Sequence, residues 1–397
     1  MMYSNRMEGI VLGKIGKQSE IIRNKQKSNE EIYDLTKGEL NVLPSKEIIE
    51  AIQESVLENS NLYTNSIGTI ELRKNVAEFI KKDSIFFKDY SYENIAMCVG
   101  AKQALFNTLS ILLNKDDEVI VFSPYWTSFS EQIKLLEAKC IVVPLVEPFF
   151  DFDIEKIKAN IGIKTKAIII NSPNNPTGRI YTKEEFVSIF ELAYQFNIYV
   201  IIDECYKDYC FPKQSYISPF NYWKGENNKI IMINSFSKNL ALTGWRLGYI
   251  CAAKEIVEKV SIFQSHTSSN PSSLIQDAIR KILLTDTVNK FIDSNWIDLN
   301  EKRNYVLNSF KYLKANEKFV NQGGFFFYIN VSQILIKEDI CIDEFCVNLL
   351  EHTGVSVVPG TAFGDSKGFR LSYCGDYKTL KVGIEKINLF FLDKKWI

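Results

Sequence analysis

Ser235-Phe236-Ser237-Lys238-Asn239-Leu240-Ala241-Leu242-Thr243-Gly244-Trp245-Arg246-Leu247-Gly248-Tyr249 is the stretch on which the reading of this chain turns. The residues from Lys229 to Ile233 just before it are predicted as a buried strand, and Thr243 to Tyr249 are expected to begin another. A lysine at a strand mouth, among hydroxyls and one arginine, suits an imine with an aldehyde cofactor. Desolvation and a neighbouring cation both depress an amine's pKa and free its nucleophilic form. Ser235, Ser237 and Arg246 are then expected to hold a phosphate. A Ser-x-Ser-Lys run by itself more often marks a solvated loop. The arginine downstream, followed by Leu247-Gly248-Tyr249, tips the balance towards a site.

With its Ser-x-Ser-Lys run closing on Gly244-x-Arg246-x-Gly248, the chain resembles the class I/II aminotransferases, fold type I of the pyridoxal-phosphate enzymes, and among them the bacterial aspartate-type members. The resemblance implies an α/β fold: a large domain on a mostly parallel, roughly seven-stranded sheet flanked by helices, plus a smaller α+β domain. The division expected here is an N-terminal segment of the small domain (1–45), a large cofactor-binding domain (46–288) and a small C-terminal domain (289–397). It also implies pyridoxal 5′-phosphate as cofactor and a homodimer with shared active sites.

The segments upstream supply the remaining parts. Ile198 to Ile202 is a continuous β-branched run, the mark of a central parallel strand, and it delivers Asp203, Glu204, Cys205 and Tyr206. Asp203 is expected to pair with a protonated pyridine nitrogen, which deepens the cofactor's electron sink. Thr165 to Ile170 is predicted as a strand closing on Asn171-Ser172-Pro173-Asn174-Asn175-Pro176-Thr177-Gly178-Arg179, a rigid loop that holds one side-chain amide in place. Asn175 and Tyr206 are assigned to the pyridine 3-oxygen. Gly100-Ala101-Lys102-Gln103 lies between a short strand and a helix, where uncapped N–H groups and the helix dipole favour an anion. Trp126, after the strand Glu118 to Phe122, is a candidate stacking platform for the ring.

Other roles rest on the resemblance alone. The turn at Gly38 is expected to pass over the substrate, although the family's Glu-Pro-Asp-Phe is replaced by Glu39-Leu40-Asn41-Val42. Tyr63 matches a tyrosine that reaches the phosphate of the partner subunit's cofactor. Arg370, in Phe369-Arg370-Leu371-Ser372-Tyr373, matches the arginine that takes the substrate α-carboxylate bidentately. Lys102 matches a lysine that reaches the distal carboxylate of an acidic substrate.

Composition narrows the alternatives. The 397 residues carry a formal net charge of −1, which gives no field to gather nucleic acid or an anionic membrane. No apolar run is long enough to span a bilayer and the N-terminus has no signal-peptide core, so a cytoplasmic protein is expected. The eight cysteines include no Cys-x-x-Cys and are expected to be reduced and buried, as at Cys98, Cys140 and Cys251. Only His266 and His352 are present, so zinc sites and most Ser-His-Asp schemes are poorly supported and no metal is expected.

The function expected is transamination between an L-amino acid, acidic by preference, and a 2-oxo acid, with Lys238, Asp203 and Tyr206 as the catalytic set. The same apparatus serves a pyridoxal-phosphate-dependent cyclase, lyase or replacement enzyme on a modified amino acid, and that alternative stays open. A cofactor-binding sensor would need a fused winged-helix reader, for which residues 1 to 30 are too short.

Overall fold

Continuous β-branched runs become parallel strands when both faces of a sheet are covered, because each side chain then finds a core whichever way it points. The computed structural model describes residues 4–7, 10, 13–27, 31–58, 60–213, 215–225, 227–316 and 321–397. Its strands are β1 (Tyr33–Asp34), β2 (Ile95–Cys98), β3 (Glu118–Ser123), β4 (Lys139–Pro144), β5 (Thr165–Asn171), β6 (Tyr199–Asp203), β7 (Ile230–Ser235), β8 (Gly248–Cys251), β9 (Phe326–Asn330), β10 (Val355–Ser356), β11 (Val358–Pro359) and β12 (Gly368–Ser372). Seven of them form one sheet in the order β2-β8-β7-β6-β5-β3-β4. The pairs from β7 through β6, β5 and β3 to β4 are parallel, and β8 runs antiparallel to its neighbours β2 and β7. This is the α/β architecture expected from the sequence.

The two-residue period of the strands decides which side chains reach the site. Ile168, Ile170, Val200, Ile202 and Met232 enter one core, whereas Ala167, Ile169, Ile201, Ile231 and Ile233 enter the other with Ala104, Leu105 and Leu109 of the helix Gly100–Leu112. Continuing the second set by two residues reaches Asn171, Asp203 and Ser235. These three therefore leave the carboxyl edge on the face that carries the Gly100 helix, where open α/β sheets bind ligands. Asn171 and Asp203 are register partners.

A second sheet, β11-β12-β9, is antiparallel and carries Arg370 opposite Tyr328. The N-terminal β1 pairs in parallel with β10, which brings the segment after Asp34 alongside this smaller sheet. Capping follows the sequence signals. Ser45 accepts from Ile48 N at the start of the helix Lys46–Leu57, and Thr182 with Glu185 forms a capping box on Lys183–Gln195.

Some expectations are corrected. Thr243–Trp245 is a 3-10 turn and the strand begins only at Gly248, because Arg246 takes a left-handed conformation (φ 57°) that breaks the extended path. Cys140 is only half-buried because β4 lies at the edge of the large sheet, and Cys341 is exposed at the start of the helix Ile342–Thr353. Among the described residues, no helix is long and apolar enough to cross a membrane. Likewise no group of three or more metal-ligating side chains is gathered there.

Candidate active site

A cavity of about 400 Å³ opens at the carboxyl edge of β5, β6 and β7. Lys238 lies in it on the helical turn Phe236–Asn239. Its Nζ donates to the carbonyl oxygen of Gly38 at 2.6 Å and lies 5.8 Å from the Tyr206 ring centroid. Burial holds the Lys238 ammonium below the usual lysine range. Arg370 adds to that, while Cys205, Cys374 and Glu39 oppose it.

Asp203 is buried at the end of β6, and its Oδ1 accepts from Cys205 N at 3.0 Å. Burial raises its pKa, and the Cys205 hydrogen bond and the Lys238 charge restrain the rise. Asn171 braces this corner. Its Nδ2 donates to Asp203 O at 3.1 Å, and its Oδ1 accepts from Asn175 N at 2.7 Å. Asn175, before a cis Pro176, aims Nδ2 at the Tyr206 hydroxyl across a long 3.5 Å contact.

Arg370 stands behind Asn175. Its Nη1 donates to Asn175 Oδ1 at 3.1 Å and its Nη2 to Thr36 O at 2.6 Å, and the guanidinium lies 4.2 Å from the Phe326 ring centroid. Burial lowers its pKa to about 10, and its Nε is buried without a hydrogen-bond partner among the described residues. A buried cation with an unmatched donor is costly unless a ligand completes it.

The opposite end of the cavity is cationic. The helix Gly100–Leu112 begins after Val99 with no side-chain cap, so the first N–H groups stay open to an anion. Arg246 closes over this end, donating through Nη1 to Thr243 O at 2.8 Å and through Nη2 to Val99 O at 3.3 Å. Gly100 has φ 76°, and a Cβ there would fall 2.5 Å from Arg246 Nη2, so the close approach needs glycine. Ser235 and Ser237 are buried in the wall between this cradle and Lys238. Lys102 Nζ lies 5.3 Å from the Trp126 ring, and burial with Arg246 nearby lowers its pKa.

Of the residues singled out from sequence, Gly38, Ala101, Lys102, Trp126, Asn175, Asp203, Tyr206, Ser235, Ser237, Lys238 and Arg246 all line the cavity. Gly100 and Arg370 support it from just behind. Tyr63 does not line the cavity of its own chain and is 88% exposed. Four lining residues were missed by sequence reasoning: Glu39, Asn171, Cys205 and Thr243. Thr243 Oγ1 donates to Glu39 Oε2 at 2.5 Å across 204 positions of sequence, a contact with no local signal. Asn171 has a signal that could have found it, since it ends a strand in the same way as Asp203.

Behind Asp203 the chain turns Glu204 to the other face of the sheet. Its Oε1 accepts from Tyr216 Oη at 2.6 Å and from Ser218 Oγ at 3.4 Å, while Oε2 is buried without a partner among the described residues. Burial pushes its pKa up to about 7, against the pull of Lys207 and the two hydroxyls. A carboxyl whose folded pKa exceeds its unfolded value binds its proton more tightly in the native state. The stability it contributes is full at low pH and is lost as pH rises towards about 7. The variant Glu204→Gln should therefore gain on the wild type between about pH 5 and about pH 8. Urea midpoints at the two pH values measure this, and a constant difference would contradict it.

The chain matches the family described as aminotransferase class I and II over residues 30–387. It is 32% identical over 365 residues to the aspartate aminotransferase of Bacillus subtilis, covering 91% of each chain. To the aspartate aminotransferase of Thermotoga maritima it is 33% identical over 394 residues, covering 98% of this chain and 99% of that one. The structure of aspartate aminotransferase from Thermus thermophilus with maleate superposes with a TM-score of 0.91 at 28% identity, covering 98% of this chain and 99% of that one.

Proposed function

The chain belongs to the class I and II aminotransferases, and from that premise we propose that it is a pyridoxal-5′-phosphate-dependent transaminase acting between an acidic L-amino acid and a 2-oxo acid. The observation that carries the proposal is the convergence of Lys238, Asp203 and the Asn175–Tyr206 pair in one cavity whose far end is an uncapped helix start beneath Arg246. These residues fit the cofactor. The helix start at Gly100 and Ala101, with Ser235, Ser237 and Arg246, would hold the phosphate, and Trp126 would lie against the ring. Asp203 would face the pyridine nitrogen, with Asn175 and Tyr206 at the 3-oxygen. Bound there, the cofactor supplies an aldehyde that condenses with amines and an electron sink for the carbanion formed at the substrate Cα.

The protein's own residues do the rest. Lys238, whose charged form burial disfavours, would move the proton from the substrate Cα to the carbon that was the cofactor's aldehyde. Arg370, with Nε unmatched, binds the α-carboxylate and so fixes which C–H bond faces Lys238. Gly38 and the turn that follows it close the cavity mouth and exclude water. Lys102 meets the distal carboxylate. Support for an acidic substrate comes from that cation in the cavity wall, from the relatives named for aspartate, and from the maleate, a dicarboxylate, in the Thermus structure.

The division into 1–45, 46–288 and 289–397 is part of the same reading, supported by the separate three-stranded sheet and the β1–β10 pairing. So is a homodimer in which Tyr63 serves the partner's site. Supporting it are the exposure of Tyr63 (88%) and of its neighbour Leu62 (75%).

A panel of amino donors tests the function. With an acidic amino acid and no 2-oxo acid, one equivalent of oxo acid should form per site and the reaction should then stop until 2-oxoglutarate is added. Continued turnover without an acceptor would replace transamination by the lyase or cyclase reading.

A further inference from the structure

The four-residue turn that carries Lys238 has little to hold it from within. Its closing bonds, Leu240 N to Phe236 O and Ala241 N to Lys238 O, are both 3.3 Å long, and Ala241, two residues past its end, is already left-handed (φ 53°). What ties it down is Asn239. The backbone oxygen of Asn239 accepts from Tyr209 Oη at 3.0 Å, and its Nδ2 donates to Asp208 Oδ2 at 3.0 Å. Asp208 Oδ1 in turn accepts from Lys207 Nζ at 3.3 Å, and Lys207 also donates to Asp83 Oδ2 at 2.9 Å. Lys207 is buried, yet Asp208 and Asp83 together outweigh the desolvation and keep it charged.

These contacts form one bracket. The segment that presents Asp203 and Tyr206 to the cavity runs on through Lys207, Asp208 and Tyr209, and grips the lysine turn from behind. A carboxylate is acceptor-only, so Asp208 dictates which end of the Asn239 amide faces it. Asn239 Oδ1 is correspondingly left buried without a partner among the described residues. A neutral partner would let the amide rotate. We propose that Asp208, oriented by Lys207, is a positioning residue that acts through Asn239 to set the place of Lys238 relative to Asp203 and Tyr206. The proposal rests on the reading of Lys238 as the covalent lysine.

The test uses the full-length chain and the variants Asp208→Ala, Asp208→Asn, Asn239→Ala and the double Asp208→Ala/Asn239→Ala. A misplacement of about 1 Å lowers a positioned reaction by up to roughly 100-fold, so Asp208→Ala should lose about 10- to 100-fold in kcat with KM within about threefold. Asp208→Asn keeps an acceptor for Asn239 Nδ2 but also offers a donor, so the amide is free to rotate and only part of the loss should be recovered. Asn239→Ala leaves the Lys207 ion pairs in place and should reproduce the defect even if Asp208→Ala does not fold. The double variant should be no worse than either single one, because both break the same bracket. In cofactor-free protein, acetylation of Lys238 by acetic anhydride, measured against exposed Lys254 by peptide mass spectrometry, should change about fivefold or more in the Ala variants, since the amine's surroundings move. Additive losses, or Ala variants with wild-type kcat and wild-type labelling, would overturn the proposal. If borohydride fixes no pyridoxal phosphate on wild-type Lys238, the functional reading falls and takes this one with it. Fixation in the wild type with unaltered Ala variants sinks this one alone.

Discussion

Lys238→Ala is expected to leave a folded chain with no measurable transamination, a loss of at least about 10⁴-fold, since both the covalent anchor and the proton-transfer group are removed. The structural damage should be small. Among the described residues the Lys238 side chain makes one hydrogen bond, to Gly38 O, and burial penalises its charge, so the fold gives up little when the side chain is truncated. Thermal unfolding should confirm a midpoint near that of the wild type. Borohydride added to the protein with pyridoxal phosphate should fix the cofactor on the wild type and on nothing at position 238 of the variant. Wild-type turnover in the variant would end the proposed function, because no other lysine among the described residues combines burial in this cavity with contact to the Gly38 turn; Lys102 lies at its other end, against Trp126.

Asp203→Asn separates capture of the cofactor from its activation. The amide keeps the shape and can still accept from Cys205 N, so what is lost is one negative charge in a water-poor site. Removing a preorganised electrostatic partner of the reacting group is worth roughly 10²- to 10³-fold in kcat. Borohydride fixation on Lys238 should persist while turnover falls by that amount. In the cofactor-free chain the effect has the opposite sign. Burial raises the Asp203 pKa above its unfolded value, so the ionised form weakens the fold as pH rises through the folded pKa. At neutral pH, cofactor-free Asp203→Asn should be as stable as the wild type or more so. Adding pyridoxal phosphate should then raise the midpoint of the wild type further than that of the variant. Equal turnover in the two proteins would remove Asp203 from the mechanism.

Much of the site is legible in the sequence, for a local reason. The strands β5, β6 and β7 are runs of Ile and Val whose ends are marked by a polar residue, so Asn171, Asp203 and Ser235 stand at the point where burial stops. The Gly100 turn and the Ser235–Lys238 run are also contiguous motifs. The missed residues are of another kind. Glu39 lies on the segment after β1, and Thr243 lies in a 3-10 turn where the residue pattern predicts strand. They meet only because Arg246 turns left-handed and because β1 pairs with β10.

The bracket behind Lys238 shows the same limit. Nothing local to Lys207 and Asp208 announces that Asp83 lies within 2.9 Å of Lys207, 124 positions away. The chain's own order of residues determined the α/β class and which polar residues end the central strands, because a strand's period and its terminal polar residue act over a few positions. Tertiary structure alone decided that Arg370 Nε is left unmatched among the described residues, that Glu204 is withdrawn from water behind Asp203, and that Asp208 grips Asn239. Each of those depends on how much water is excluded by segments distant in sequence, and desolvation is a property of the packed whole.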